Sequence, residues 1–550
     1  MKFYQTLHIW ISKYATKYIY PCSIAFALTF PTLVWIALDK GLWRGDPVGY
    51  ALNSLGLHKE LTSNILCWRG MFFHGYKGPL IGWIGEFFVP LVQCTGSLTF
   101  SLLLIPVIAT FFSMVLVFRS IEILFESKWI ALCGSLIIIA SPLMNGITTQ
   151  FWIEPMQVAL TSWFIYAMLR AGSWSFYFSI AQFVIAFSLA VLTKVSSPLY
   201  IVAPSVFFWI TIWRNSPSIQ WTRRDGWWML IAILIFLPTA VFFTHNFKAI
   251  LAYAHFASTS PLYGSSISQF DLMIQNFENG IFGSITFSFA ILLLFSAVIK
   301  GIYLKTDKPF SIVFWVAILH IAIFCMAWLQ SSNDDPRLFL PVLPYFTLLL
   351  CWCLDTIHKK WLVGISVFLL LVQFIVLTGF EYGYVDFNPP YGMIRPMQRK
   401  TNRQLQILQS IIPLASRDSA IIFDLNPELG VAEFQLEMAK QNTSENWQKS
   451  SIDIGSFFNY HNQEIDTGKI DLEDVWKNLL TYKPDYYITW RTRLSDKAAK
   501  IEQQKIDKYN AITIKARWAI AQKMNNCKEY QIIKFPLYPE LLIYKRYEIF

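Results

Sequence analysis

Long apolar runs, broken by short charged or glycine- and proline-containing stretches, fill the first 380 residues of the chain. An α-helix needs roughly 20 apolar residues to cross a hydrocarbon layer about 30 Å thick. About eleven segments read as such spans: 18–38, 97–118, 129–144, 151–169, 174–192, 198–213, 227–243, 281–299, 310–329, 338–354 and 361–380, some of them short for the task. The stretch 79–94 is also apolar, but Gly82, Gly85 and Pro90 break it and Glu86 charges it, so it reads as a helix lying in the interface. Beyond Phe380 the pattern turns polar. Residues 381–400, rich in Pro and Gly, read as a linker. Helical periodicity follows at 402–414, 427–440, 471–480 and 493–509, with buried strands at 420–425 and 485–490 and a closing hairpin from 530–535 and 541–547. The expected architecture is an α-helical polytopic membrane domain over 1–380, with a large first outer loop at 39–96, and a small C-terminal α/β domain over 401–550.

Composition agrees with that pattern. Only 15% of the 550 residues are charged and 55% are hydrophobic, far from the roughly quarter-charged make-up of soluble domains. The 22 Trp suit two headgroup belts. A net charge of +10 reads as loop bias, because no basic run is dense enough for a nucleic-acid surface. Cys22, Cys133, Cys325, Cys351 and Cys353 lie in apolar spans and read as small buried hydrophobes. No zinc spacing links them, and no metal site is expected.

Charge also sets the orientation. Lys2, Lys13 and Lys17 precede the first apolar run and no small-residue cleavage site follows it, which reads as a retained anchor with its N-terminus inside. The inner loops then carry Arg119 and Lys128, Arg170, Arg214 with Arg223 and Arg224, Lys300 with Lys305 and Lys308, and Lys359 with Lys360. Counting 79–94 as a span would invert every later loop and put the three-arginine loop outside. The same orientation places the C-terminal domain outside, together with Asp39, Asp46, Lys77, Glu154, Lys194, Asp334, Asp335 and Arg337. Ionisable groups at membrane depth are expensive and usually functional, so their gathering on one face points to an outward-facing polar site. Its chemistry suits a phosphate: cations bind the anion while a carboxylate handles a proton.

Asp46, in the charged turn 44–50, is the candidate acid or base, although Asp before Pro also caps a helix start. Lys77 and Lys194 have a plainer reading as snorkelling cations. Asp334 and Asp335 read alternatively as a solvated turn, with Arg337 as an anchor. Asp39 and Arg44 read as loop solvation, and His58 and His74 as loop residues. His320 and Gln373 sit inside spans, where hydrogen bonding between helices is expected.

Several of these passages, taken in order and by their places relative to the spans, resemble the GT-C superfamily of membrane glycosyltransferases that use polyprenyl-phosphate sugars. Protein O-mannosyltransferases and the bacterial aminoarabinose transferases of lipid A belong to it. Asp46-Pro47-Val48-Gly49-Tyr50 matches the family's Asp-Glu-x-x-Tyr at Asp and Tyr, with Pro in place of Glu. Lys77-Gly78-Pro79-Leu80 is similar to Lys-Pro-Pro-Leu with one proline lost. Glu154-Pro155 stands where an acidic residue opens the fourth span, and 192–198 resembles a Thr-Lys-Gly-Pro passage at Thr193 and Lys194. Asp335-Pro336-Arg337-Leu338-Phe339-Leu340-Pro341 resembles the Arg-Tyr-x-x-Pro entry to a late span.

The resemblance implies a GT-C fold and transfer of a sugar from a polyprenyl-phosphate donor to an acceptor on the outer face, with inversion at C1 and no cofactor. Asp46 would be the general base. Lys77, Arg337 and Lys194 would steady the leaving phosphate, and Glu154 would orient the acceptor or hold Lys77; Tyr50 joins the substrate-binding set. It also implies a bacterial inner membrane, undecaprenyl phosphate as carrier, and lipid A, a cell-wall glycan or a protein as acceptor. A flippase or transporter for lipid-linked sugar is the competing class. Transporters tend to bind at the bilayer midplane between repeats, and here the charges lie at one surface and no repeat is visible. A non-catalytic scaffold for envelope assembly is the third reading.

Overall fold

The structure is a computed structural model that describes residues 2–63, 77–215, 221–259, 267–303, 312–331, 333–385, 394–399, 402–414, 420–425, 429–441, 451–453, 472–491, 508–533 and 535–547. Lys305, Lys308, His74 and most of the helix expected over 493–509 lie outside the described residues. The chain divides into two units, Met1–Asp39 with Gly56–Met397, and Lys40–Leu55 with Gln398–Phe550.

The first unit is a multi-pass helical membrane domain. Every expected span is a helix. Seven helices among the described residues have the length and apolarity to cross on their own: Tyr18–Leu38, Leu98–Phe125, Phe176–Thr193, Arg223–His255, Ser284–Gly301, Pro336–Ile357 and Lys360–Glu381. An eighth forms if Lys128–Ala140 and Pro142–Thr148, bent by 62°, count as one. The remaining expected spans are shorter helices, Glu154–Arg170 with 17 residues, Val202–Asn215 with 14, and the apolar Phe314–Leu329. At 1.5 Å per residue, 17 residues reach only about 26 Å, so the expected count of about eleven depends on these short helices crossing as well. The stretch expected to lie in the interface is the short helix Leu80–Phe88 continued by turns to Thr95.

The bend at Ser141 has a covalent cause, since Pro142 has no N–H to give and its ring opposes a continuous helix. Broken backbone at membrane depth must find partners inside the protein. Gln373 supplies them: its Nε2 donates to Ala140 O and Phe282 O, both at 2.6 Å, and its Oε1 accepts from Thr286 Oγ1 at 3.0 Å. Ser141 Oγ donates to Gly280 O at 3.2 Å, in the π-turn Asn276–Phe282. Gln373 therefore bonds between helices as expected. His320 does not: it stacks on Tyr345 with ring centroids 3.9 Å apart, and neither ring nitrogen has a hydrogen-bond partner among the described residues. On the expected inner side, Lys300 Nζ donates to Thr356 O and Ile357 O at the carboxyl end of the Leu343–Ile357 helix, where a cation also meets the helix dipole.

The second unit is built on a five-stranded sheet in the order β2-β1-β3-β5-β4. Strands β1 (Ile421–Asp424), β2 (Ser451–Asp453) and β3 (Tyr486–Trp490) are parallel. Strands β4 (Tyr530–Ile533) and β5 (Leu541–Arg546) form the expected antiparallel hairpin, and β5 joins β3. Ile422, Tyr487 and Tyr544 on the sheet pack with Leu479 of helix Leu472–Tyr482 and with Ile520 and Met524 of helix Lys508–Asn525. Inside the sheet, the fully buried Asp424 accepts from Tyr487 OH at 2.7 Å, Thr489 Oγ1 at 3.0 Å and Arg517 at 3.1 Å. Arg517 also reaches Asp453. Burial opposes the Arg517 charge, but the two carboxylates outweigh it and hold the guanidinium more firmly protonated than usual.

The C-terminal unit differs from the sequence expectation in strand β2 and the helix Lys508–Asn525, neither of which was expected, and in its share of the first outer loop. Sixteen residues of the first outer loop, Lys40–Leu55, belong to it and not to the membrane unit.

Candidate functional site

In the membrane unit, the Glu154–Arg170 helix starts with Glu154 and then Pro155. Pro lacks only an N–H that would be unsatisfied there, and a carboxylate suits the positive end of the dipole. The Phe176–Thr193 helix ends as the chain turns extended at Lys194 (φ −154°, ψ 131°). Lys194 Nζ donates to Glu154 Oε1 at 3.0 Å. One turn further along, Gln157 Nε2 donates to Ser197 Oγ at 3.0 Å. Two bonds thus tie the start of one helix to the exit of the next. The Glu154 side chain is 1% exposed. Its Oε2, and Ser196 Oγ, have no hydrogen-bond partner among the described residues. A buried carboxylate oxygen left open in this way calls for a donor from a ligand or a water.

Lys77 is delivered to the same place by a backbone contact. A Cβ added at Gly78 would lie 2.3 Å from Leu192 O and 2.5 Å from Thr193 O. No side chain fits there, a proline ring included, which accounts for Gly78 at the position where the family pattern has proline.

Arg337 comes from the other end of the unit. Asp335 caps the turn Pro336–Val342 by accepting from Arg337 N–H at 3.0 Å, and its carboxylate takes Arg337 Nε at 2.9 and 2.8 Å. The guanidinium lies over the Trp152 ring, Cζ 3.7 Å from the centroid. Tyr200 donates from its hydroxyl to Leu338 O at 2.9 Å and accepts Tyr345 OH on its own carbonyl at 2.5 Å, locking the turn after Lys194 to the turn after Asp335. Burial pushes the Asp335 carboxyl up, but bonding to Arg337 and the Arg337 and Lys194 charges outweigh it and hold it below the usual range. The structure therefore assembles Glu154, Lys194 and Arg337 with Asp335, and brings the backbone beside Lys77 to them. Asp335 is a capping partner, not a solvated turn.

An apolar cavity of about 410 Å³ is lined by the helices Leu80–Phe88, Leu98–Phe125, Glu154–Arg170 and Phe176–Thr193. Leu80, Met156 and Leu189 line it, each within five residues of Lys77, Glu154 or Lys194, and Phe112, Leu160 and Trp163 complete much of its surface.

Asp39 is also not solvated. Its side chain is fully buried and meets Arg395 at 2.7 Å, with the guanidinium Cζ 4.8 Å from the Trp35 ring centroid. Beside it, Trp35 Nε1 and Met397 N–H donate to Glu381 O, and the Asn145 amide, with its nitrogen facing the Glu381 carboxylate, donates at 2.9 and 3.2 Å. His58 pairs with Glu86 at 3.4 Å.

Asp46 and Tyr50 lie in the other unit. The helix Asp46–Ser63 opens at Asp46, directly after Gly45 (φ +64°), so Asp46 sits in the first turn and the capping carbonyl is Gly45 O, which accepts from Val48 N–H at 3.1 Å. Asp46 is half-buried; Tyr50, at 7% exposure, is buried with Val48 and Ala51. Arg44 is exposed, as expected of a loop residue, and also bonds to Gln404 Oε1.

Sequence reasoning missed Trp152, Tyr200, Glu381 and Arg395. The first two sat in runs read only as apolar spans, and Arg395 in a stretch read as linker, so their polar roles had no local signal. Among the described residues, no group of three or more His, Cys, Asp or Glu could hold a metal ion.

No family model and no curated protein matches the chain. Solved structures do match it. ArnT from Cupriavidus metallidurans bound to undecaprenyl phosphate superposes with a TM-score of 0.57 over 97% of this chain and 98% of that one, at 11% identity. The fold is the GT-C fold of ArnT. The apo structure of ArnT from the same organism gives a TM-score of 0.54 over the same shares, also at 11% identity. A likeness to ArnT that runs through nearly both whole chains covers the membrane helices and the C-terminal sheet region alike.

Proposed function

We propose that the protein is a membrane glycosyltransferase that takes a sugar from a polyprenyl-phosphate donor, as the ArnT fold and the bound lipid phosphate of that structure support. The observation that carries the reading is the cluster of Lys194 on Glu154 and Arg337 on Asp335 and Trp152, with an open, buried carboxylate oxygen on Glu154 and an apolar cavity of about 410 Å³ lined in part by the helices that start at Glu154 and end at Thr193. Cations suit a lipid phosphate and the cavity suits an isoprenoid stretch.

The acceptor's hydroxyl or amine attacks C1 of the sugar from the face opposite the phosphate. Asp46 takes the proton, the C1–O bond breaks, and the lipid phosphate leaves with the electron pair, inverting the anomeric centre. Arg337 offers the phosphate a planar fork while Lys77 and Lys194 add point charges. Glu154 Oε2 accepts a hydrogen bond from a substrate hydroxyl or amine. The reaction is assigned to the outer face of a bacterial inner membrane, with the N-terminus cytoplasmic.

The test is transfer of labelled sugar from undecaprenyl-phosphate-linked donors in membranes holding either the wild type or Asp46→Asn at matched protein levels. Loss of a general base lowers the rate by about 10²–10⁴-fold. Transfer by Asp46→Asn at the wild-type rate removes Asp46 from the mechanism. Movement of intact lipid-linked sugar across the membrane with no transfer replaces the enzyme by a flippase.

A further inference from the structure

The C-terminal sheet domain has no assigned role, yet the residues that lead into Asp46 are built into it. Leu42 and Trp43 are buried at 8% and 5% exposure, and on the far side of Asp46 so are Val48, Ala51 and Leu55. Lys40 N–H donates to Gln398 O at 2.8 Å, and Gly45 N–H donates to Glu433 Oε1 at 3.4 Å. Arg44 bonds to Gln404 on the helix Arg403–Ile411. The Lys440 ammonium lies 5.4 Å from the Trp43 ring centroid and is held there by Glu437 at 2.6 Å, both on the helix Val431–Gln441. Lys440 and Glu437 are mostly buried, at 18% and 5% side-chain exposure, where a cation over an indole face is strongest.

The sequence of contacts is continuous. Every residue from Lys40 to Gly45 except Gly41 and Leu42 has a named partner on the sheet domain or the residues leading to it, and Leu42 is buried within the same unit. Gly45 then turns the chain at φ +64°, with open space around an imagined Cβ, so its demand for glycine is conformational alone. Asp46 follows as the first residue of the helix.

We infer that the C-terminal domain is the positioning device for Asp46, with Lys440 as the chief positioning residue through Trp43 and with Glu433 and Gln404 supporting it. The inference rests on Asp46 acting as the base proposed above. The phosphate-binding cations lie in the membrane unit, so loosening this mount changes turnover and leaves donor binding alone.

The experiment uses the full-length protein in nanodiscs with an undecaprenyl-phosphate-linked sugar donor. Lys440→Ala is expected to lower kcat by about tenfold, with KM for the donor within about twofold, the loss matching one charge-assisted contact. Lys440→Arg, which keeps a cation over Trp43, restores kcat. Gly45→Ala, which strains φ without a clash, lowers kcat in the same way. A second readout needs no activity: Asp46→Cys is labelled with a membrane-impermeant maleimide and quantified at that site by mass spectrometry, alone and with Lys440→Ala or Lys440→Arg. The labelling rate is expected to rise several-fold with Lys440→Ala and to stay unchanged with Lys440→Arg. Unchanged labelling with Lys440→Ala overturns the positioning role, as does a kcat loss that Lys440→Arg fails to restore. If Asp46→Asn transfers sugar normally while Lys440→Ala still changes labelling, the base assignment fails and the mount stands. If Lys440→Ala lowers protein level, Gly45→Ala and the labelling of its Asp46→Cys double variant decide the matter on the same criteria.

Discussion

A carboxylate with 1% exposure beside a lysine with 24% is an unequal pair. Removing the lysine strands a charge in a dry place, whereas removing both charges leaves only a neutral repacking problem. Lys194→Met is therefore expected to destabilise the protein by about 2–3 kcal/mol, discounted for the partial exposure of the lysine. Glu154→Gln combined with Lys194→Met should cost less than Lys194→Met alone, as thermal melting in detergent would show; additive losses would mean that the pair is not coupled. Asp335 offers a pH counterpart. Its folded pKa lies below the ordinary value of 3.8, because Arg337 and Lys194 outweigh burial. Its stabilising contribution is thus complete above the unfolded value and is lost as pH falls through the lower folded one. In melting curves taken between about pH 3 and 7, Asp335→Asn is expected to melt lower near neutrality and to lose less on acidification. Of these residues, Glu154, Lys194 and Arg337 were legible because charge at membrane depth is rare. Trp152 and Tyr200 were not, since an aromatic in an apolar span looks the same whether it packs on lipid or under a guanidinium.

Helices in lipid must settle their own backbone accounts, and here a single amide side chain closes two breaks in the membrane unit. Gln373→Leu would leave Ala140 O without the Gln373 donor, at about 1–3 kcal/mol for a buried group left unmade, while Phe282 O would keep the Thr286 hydroxyl. The expected result is a lower melting temperature and faster hydrogen exchange across Pro142–Thr148; unchanged exchange there would mean that water or a neighbour replaces the amide. Element existence was readable from the length of the apolar runs for all eleven expected spans. Crossing was not, since the helices at Glu154–Arg170 and Val202–Asn215 run only 17 and 14 residues, and tilt and neighbouring loops decide whether such lengths suffice. Strand β2, three residues long and partly polar, carried no periodicity to detect; its partner β1 and the helix between them create it. His320 shows the reverse error, a polar side chain in a span that stacks instead of bonding.

At the scale of the whole molecule, the ordering of apolar runs and the bias of lysine and arginine among loops determined that this is a multi-pass membrane protein with an α/β domain at its end. Those properties follow from transfer free energies that act residue by residue, so a sequence carries them without folding. The motif order also carried the GT-C resemblance, and the match to ArnT over 97% of the chain agrees with it. Tertiary structure alone decided which charges meet. Lys194 chose Glu154, Arg337 chose Asp335 and Trp152, and Asp39 chose Arg395 more than three hundred residues away. It also decided that the loop bearing Asp46 is part of the C-terminal unit. Pairing of this kind depends on distances between segments remote in sequence, and a charge has no preference among opposite charges until the packing of apolar surfaces has fixed which one is near.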